Sequence, residues 1–230
     1  MIYITGDTHG GFSHIEEFCM DNETTKDDII IILGDVGINY YSVEMDIKLK
    51  RQLSELPITL FCIHGNHEIR PENIPTYEES EYLGGLVSIE PDFPNLIFAK
   101  DGEIYDFDGN RCIVIGGAYS PDKHLRKKGE WWEDEQPSEW IKNQVEKRLQ
   151  LEEWEVDMVL SHTCPFKYRP TETFTNDIPQ RQIDTSTEEW LDTIEDRLNY
   201  SIWFCGHFHI EKDIGKMQFM YTSIMDLSEY

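Results

Sequence analysis

Five short blocks of Asp, His, Asn and Gly punctuate the chain, each directly after a short apolar run. They are Gly6-Asp7-Thr8-His9-Gly10, Gly34-Asp35, Gly65-Asn66-His67-Glu68, Ser161-His162 and Gly206-His207-Phe208-His209. Residues two apart in an extended segment point the same way. Asp7 and His9 can therefore reach one ion together, and His207 and His209 can face one cavity. The flanking glycines allow a sharp turn and a close approach of backbone to a ligand. Mixed carboxylate, imidazole and amide donors suit Mn, Fe, Co, Ni or Zn rather than calcium, which takes an oxygen shell. Each block alone has an ordinary structural reading; Asp7, for instance, could cap a following helix. The set does not reduce to that, because six of the eight histidines lie in these blocks or beside them, counting His64. His14 and His124 have no ligand spacing and read as surface residues.

The elements that must position these blocks are short strands. Strand-type runs cover residues 2–5, 29–33, 59–63, 96–99, 103–107, 112–115, 158–160 and 201–205, and 217–223 can add more. Several are continuously apolar, as in strands covered on both faces. Between them, Phe12, Ile15, Phe18 and Cys19 recur at helical spacing, as do Val43, Ile47 and Leu53. Ser138 can cap a helix carrying Ile141, Val145 and Leu149. Ser186-x-x-Glu189 reads as a capping box before Trp190, Ile194 and Leu198. The pairs Glu78-Glu79, Glu152-Glu153 and Glu188-Glu189 read as solvated helix faces. Asp108-Gly109 signals a hairpin. With no repeat, low-complexity stretch or linker, residues 1–230 read as one α/β domain with mixed sheets. Segments 119–137 and 165–185 resist assignment; each follows a strand ending in Gly or His. Ligands in open α/β sheets bind beyond the carboxyl ends of strands, so both segments are candidate rims.

Composition excludes several classes. Asp+Glu number 45 against 20 Lys+Arg, a net charge of −25. That argues against a general electrostatic grip on nucleic acid or an anionic membrane. Hydrophobic residues at 39% and aromatics at 12% supply a core, unlike a solvating acidic tail. No apolar run approaches the about 20 residues of a membrane helix, and the strand-type start has no signal-peptide pattern. The five cysteines are odd in number and lack a C-x-x-C pair. They read as reduced thiols of a cytoplasmic protein. Cys164 and Arg169 are one residue too close for a cysteine-phosphatase loop, and Pro165 removes a backbone donor from it.

The order D-x-H, GD, GNH-E, H, GH-x-H resembles the calcineurin-like metallophosphoesterase superfamily, over Asp7 to His209. The resemblance implies a four-layer sandwich, with two mixed β-sheets face to face and helices outside. It implies one divalent metal on Asp7, His9, Asp35 and His209. A second would sit on Asp35, Asn66, His162 and His207, with Asp35 bridging. Manganese is the expected ion, with Fe, Zn, Co and Ni as alternatives. The implied reaction is hydrolysis of phosphomonoesters or phosphodiesters by a hydroxide bridging the two ions. His67 matches the histidine that protonates the leaving group. The first and third blocks look most like the phosphoprotein phosphatase branch. His64 and Asn39, however, stand where that branch has arginines, and Ile38 stands where it has the aspartate that orients the catalytic histidine. A stand-alone bacterial or phage-type phosphoesterase fits better.

Arg70 matches an arginine of that branch. It joins His64, Lys123, Arg126, Arg169 and Arg181 as candidate substrate contacts. Lys123, Arg126, Lys127 and Lys128 form a basic cluster followed by Trp131-Trp132. It reads either as a substrate rim or as a solvated loop with tucked-in tryptophans. The expected partner is a small phosphate ester or nucleotide, with no general nucleic-acid binding, no membrane, and oligomeric state open. The alternatives are a nucleotide or dinucleoside polyphosphate hydrolase, and a non-catalytic metal-stabilised interaction module on the same fold.

Overall fold

The computed structural model describes all residues except 128–129, 175–179 and 230. In chain order the elements are β1 (Ile2–Thr5), α1 (Ser13–Asn22), β2 (Ile29–Ile32), α2 (Val43–Ser54), β3 (Thr59–Cys62), β4 (Glu78–Tyr82), β5 (Gly85–Ile89), β6 (Leu96–Ala99), β7 (Ile104–Phe107) and β8 (Asn110–Ile115). They continue as α3 (Glu139–Leu151), β9 (Met158–Ser161), α4 (Ser186–Glu195), β10 (Ile202–Cys205), β11 (Lys212–Ile214), β12 (Met217–Phe219) and β13 (Met225–Asp226). Short 3-10 turns occupy parts of both long segments.

The strands form two mixed sheets. The seven-stranded sheet runs β13-β1-β2-β3-β6-β5-β4 and the six-stranded sheet β11-β12-β10-β9-β8-β7. Each has a parallel centre, β1-β2-β3-β6 in one and β8-β9-β10-β12 in the other, flanked by antiparallel strands. Period-two alternation explains why four isoleucines in a row suit β2. Ile29 and Ile31 point into the core between the sheets, together with Phe61, Phe107, Val114, Leu160 and Phe204. Ile30 and Ile32 point outward into a second core with Ile15, Cys19 and Leu53 of α1 and α2. On the far side, Ile113, Val159 and Trp203 pack against Val145 and Leu149 of α3 and Leu191 and Ile194 of α4. These three apolar interfaces separate four layers, helix, sheet, sheet and helix, as the family resemblance implies. All five cysteines are buried and free. No described helix is long and apolar enough to cross a membrane.

Several local expectations hold. Ser138 Oγ accepts the Ile141 N–H at 3.3 Å and caps α3. Asp108 and Gly109 turn the β7–β8 hairpin with φ of 55° and 91°. Others are corrected. Glu78 and Glu79 lie on β4, an edge strand, where charge blunts pairing with another chain. Glu152 and Glu153 follow the last turn of α3, with Glu153 at φ 56°. The α4 cap falls on Thr185, whose Oγ1 bonds Glu189 Oε1 at 2.7 Å, so there is no Ser186 capping box. Glu188 is buried rather than solvated.

The largest surprise is α2. Val43 and Ile47 are exposed, and the inward face carries Asp46, Lys50 and Leu53. Lys50 Nζ lies 2.6 Å from Glu90 Oε2 and 3.4 Å from Asp46 Oδ2. Both Asp46 carboxylate oxygens accept the Asn39 N–H, at 2.9 and 3.0 Å. Apolar periodicity misses this face because a buried ion triad replaces the apolar stripe. Removing one partner of a buried ion pair costs about 3–5 kcal/mol. Lys50→Met should therefore lower unfolding free energy by about that amount in urea denaturation. A loss under about 1 kcal/mol would show that the triad contributes little.

Candidate metal centre

The blocks sit at the carboxyl ends of the parallel strands of both sheets, so the two sheets deliver their turns to one place. Hydrogen bonds then lock one block to the next. His9 N–H donates to Asp35 O at 2.7 Å, and Gly10 N–H to Val36 O at 3.0 Å. Glu68 Oε1 accepts the Gly65 N–H at 2.7 Å and its Oε2 the Val36 N–H at 3.0 Å. Gly206 N–H donates to His162 O at 2.9 Å. The His207 N–H donates to the Asp7 carboxylate, with its oxygens at 2.9 and 3.1 Å. These bonds hold a strained backbone. His9, Asp35, His207 and His209 all adopt φ between 47° and 68°. The left-handed region costs a non-glycine residue on the order of 1–2 kcal/mol, and such strain persists where the surroundings over-determine it. Glycines that flank these residues are sterically required. A Cβ at Gly65 would collide with the Asp35 backbone N and carboxylate, and one at Gly206 with the Asp7 carboxylate.

The side chains converge accordingly. Asp7, His9 and His209 form one group whose candidate ligand atoms lie within 4.8 Å of one another, and Asp7, Asp35 and His162 form another. His209 Nε2 is 3.2 Å from Asp7 Oδ2, and His9 Nε2 is 3.7 Å from Asp35 Oδ2. His162 Nε2 is 3.5 Å from Asp35 Oδ1 and 2.8 Å from Asn66 Oδ1. The His207 ring centre lies 5.0 Å from that of His162. All seven predicted ligand positions thus fall around one centre. Asp7, expected on one side only, reaches both groups.

The donor chemistry of this cluster fits cations. His162 Nδ1 is 2.7 Å from the Leu33 carbonyl, which fixes the proton on Nδ1 and leaves the lone pair on Nε2. Asn66 Nδ2 donates to Ser120 Oγ at 2.9 Å, which turns the amide oxygen inward. Nε2 and Oδ1 then face each other 2.8 Å apart as two lone-pair donors. A cation bound to both atoms satisfies such a pair. His9 Nε2 and His209 Nε2 approach to 2.9 Å beside Asp7, whose Oδ2 is 3.2 Å from His209 Nε2. On this fit, Asp7, His9, Asp35 and His209 would hold one divalent ion, and Asp35, Asn66, His162 and His207 a second.

Electrostatics follow from burial. Desolvation raises the Asp35 carboxyl, but His162, His67, His9 and the His67 N–H outweigh it and hold the group below the usual carboxylate range. His207 is pushed well below the ordinary imidazole range, by desolvation first and then by His162. His209 is raised by its hydrogen bond to Asp7. Glu68 is raised well above normal by burial and by Asp35, against the backbone N–H groups it accepts.

His67 stands at the mouth, its Nε2 3.8 Å from Asp35 Oδ2. Arg126 Nη2 lies 3.1 Å from that Nε2. Arg126 is itself gripped by Asp122, through Nε to Oδ1 at 2.7 Å and Nη2 to Oδ2 at 2.8 Å. Because a guanidinium only donates, His67 Nε2 accepts here. Burial and Arg126 both lower its basicity, against Asp35.

The other expected substrate contacts divide. Arg169 lines a groove of about 330 Å³ that opens on Asp35, His67, His207 and His209. His64 is buried, with Nε2 3.2 Å from the Glu68 carbonyl, and lines neither groove at the centre. Arg70 pairs with Asp101 at 2.7 Å beside a separate cavity against α3. Lys123 lies 3.4 Å from Glu135 Oε1 and 4.1 Å from the centre of the half-buried Trp131 ring, so it turns to a local carboxylate, whereas Arg126 of the same cluster reaches the centre. Arg181 is exposed on a short 3-10 turn, and Lys128 lies outside the described residues.

Sequence reading missed Tyr40, Tyr41, Asp122, Ser120 and Tyr221. Tyr40 and Tyr41 join His67 and Arg126 around a second groove of about 470 Å³. Tyr221 stacks on His209 with ring centres 4.8 Å apart. Only Asp122 left a signal, its i, i+4 spacing to Arg126.

No curated protein matches the chain. The crystal structure of TT1561 of Thermus thermophilus is similar with a TM-score of 0.52 at 14% identity, over 96% of this chain and 87% of that one. A second crystal structure is similar with a TM-score of 0.57 at 13% identity, over 100% of this chain and 95% of that one. Identities this low speak to fold alone. The family description "Calcineurin-like phosphoesterase" matches residues 1–211, which covers every block of the centre. The chain therefore belongs to the calcineurin-like phosphoesterases, a family of metal-dependent phosphoester hydrolases.

Proposed function

We propose that this chain hydrolyses small phosphomonoesters or phosphodiesters at the Asp35-centred cluster, with two divalent cations, manganese first. The observation that carries the reading is the convergence of seven donor side chains from five strand ends, with facing lone pairs at His162–Asn66 and His9 and His209 side by side at 2.9 Å. When bound, the cations supply a water deprotonated near neutral pH and neutralise charge on the phosphoryl oxygens. The chain's own residues do the rest. Asp35 balances charge between the two positions. The Leu33 carbonyl and Ser120 hydroxyl orient His162 and Asn66. The buried, free cysteines agree with a reducing, cytoplasmic setting.

Arg126 is the one guanidinium in contact with His67 among the described residues. In this reading it binds a non-bridging phosphoryl oxygen while Asp122 keeps its fork aimed at the centre. Moving the Arg126 N–H from His67 Nε2 to the phosphate frees that nitrogen to take up a proton from solvent and deliver it to the leaving-group oxygen. This order reconciles the acid role implied for His67 with a resting arrangement in which Nε2 accepts.

The test is hydrolysis of p-nitrophenyl phosphate and its bis ester by the Mn-loaded protein. Absence of turnover with every divalent cation would overturn the reading and leave the interaction module. Arg126→Ala should lower kcat/KM about 10- to 100-fold, the magnitude of a hydrogen bond to a charged group. Arg126→Lys should not restore it, because a lysine cannot fork onto Asp122 and phosphate together; full rescue by lysine would contradict the fork. His67→Ala should slow esters with poor leaving groups by about 10²–10⁴ and activated aryl esters far less. Equal slowing of both would remove the acid role.

A further inference from the structure

Beyond the donor cluster, the groove carrying Arg169 has features that phosphate chemistry does not use. It opens on Asp35, His67, His207 and His209, so a group lodged there lies beside a phosphoryl held at the centre. Its far wall is aromatic. Phe174 and Phe208 lie 6.4 Å apart, tilted by 30°, and Phe208 is braced edge-on against Phe219 at 5.9 Å. The Arg169 guanidinium sits 4.9 Å from the Phe174 ring centre and 5.1 Å from that of Phe166.

Glu188 also lines this groove, although it is only 3% exposed. Its Oε1 accepts from Thr163 Oγ1 at 3.1 Å, while its Oε2 has no hydrogen-bond partner among the described residues. A buried carboxylate oxygen without a donor is rare in native proteins. It is satisfied when a ligand brings an N–H.

We propose that this groove is a nucleoside subsite, in which a nucleobase stacks on Phe174 and Phe208 and presents an edge N–H to Glu188. The inference rests on the phosphoesterase reading and narrows its substrate to a nucleotide ester. Three observations select a base over other leaving groups. A lipid headgroup has no flat face for the phenyl rings, and a sugar ring covers less of two phenyl rings than a planar base does. A phosphotyrosine ring has the face but no edge N–H donor. The volume, about 330 Å³, is at the small end of ligand pockets and takes one nucleoside rather than an oligonucleotide. The chain's net charge of −25 likewise disfavours a long polyanion.

The experiment compares adenosine 5′-monophosphate, guanosine 5′-monophosphate and ribose 5-phosphate as inhibitors of bis(p-nitrophenyl) phosphate hydrolysis by the Mn-loaded protein. Saturation-transfer NMR of adenosine and guanosine, which lack phosphate, runs alongside. At least one nucleotide should inhibit at about ten-fold lower concentration than ribose 5-phosphate, the scale of one base stacked on an aromatic ring. The matching nucleoside should show saturation transfer. Phe174→Ala should shrink the nucleotide advantage to under about three-fold, and Glu188→Gln should change which base is preferred. Equal inhibition by all three phosphates, with hydrolysis intact, would overturn the nucleoside subsite and leave the phosphoesterase standing. Nucleoside binding without any ester hydrolysis would support the subsite and overturn the phosphoesterase.

Discussion

Asp35 is the constraint around which the rest is arranged. Its carboxylate is 2% exposed, and the Asn66 and His67 N–H groups compensate its burial by donating to Oδ1, each at 2.8 Å. A buried carboxylate survives only with compensation of this kind. Every block at the centre either touches Asp35 or is tied to a block that does. The third block gives it two N–H donors, the first bonds its carbonyl, the fourth sets an imidazole against it, and the fifth is hung from Asp7. Glu68 ties the second block to the third from behind.

The fold makes that arrangement possible by geometry that no single strand could supply. Two sheets with parallel centres end their strands on the same rim, so turns distant in sequence become neighbours across the sandwich. The turns themselves are strained, with four candidate ligands at positive φ. Three apolar interfaces and the buried Lys50 triad supply the rigidity that holds them. The triad reaches the site through Asn39, four residues beyond Asp35, whose N–H is held by Asp46. Where the phosphoprotein phosphatases have an aspartate and an arginine after this turn, the chain has a buried Ile38 and an Asn39 turned to Tyr77. The positive charge beside His67 comes instead from Arg126, on the loop after β8.

Much of this was legible in the sequence, for identifiable reasons. A run such as Ile29-Ile30-Ile31-Ile32 admits few structures other than a strand covered on both faces, whereas Asp7 and His9 meet through a left-handed turn at His9 held by the Asp35 carbonyl, not through extended backbone. The four-layer fold and the set of seven candidate donors came from the order of the blocks, through the family they resemble. Charge in unusual places was not legible. The buried face of α2 is ionic, β4 is a glutamate-rich edge, and Glu188 looks like a solvated helix residue but is buried beside Thr163. Loop residues were harder still. Tyr40, Asp122 and Tyr221 reach the centre only through tertiary folding, and composition ranked Arg126 no higher than Lys123 or Arg70, which turn to local carboxylates.

The central claim is that these facing donors form a two-cation site organised by Asp35. Equilibrium dialysis against Mn, with bound metal counted per chain by mass spectrometry, tests it most directly. The account predicts about two ions per chain for the wild type and fewer than one for Asp35→Asn with the fold intact by circular dichroism. One ion or none in the wild type, or two retained by Asp35→Asn, would contradict it.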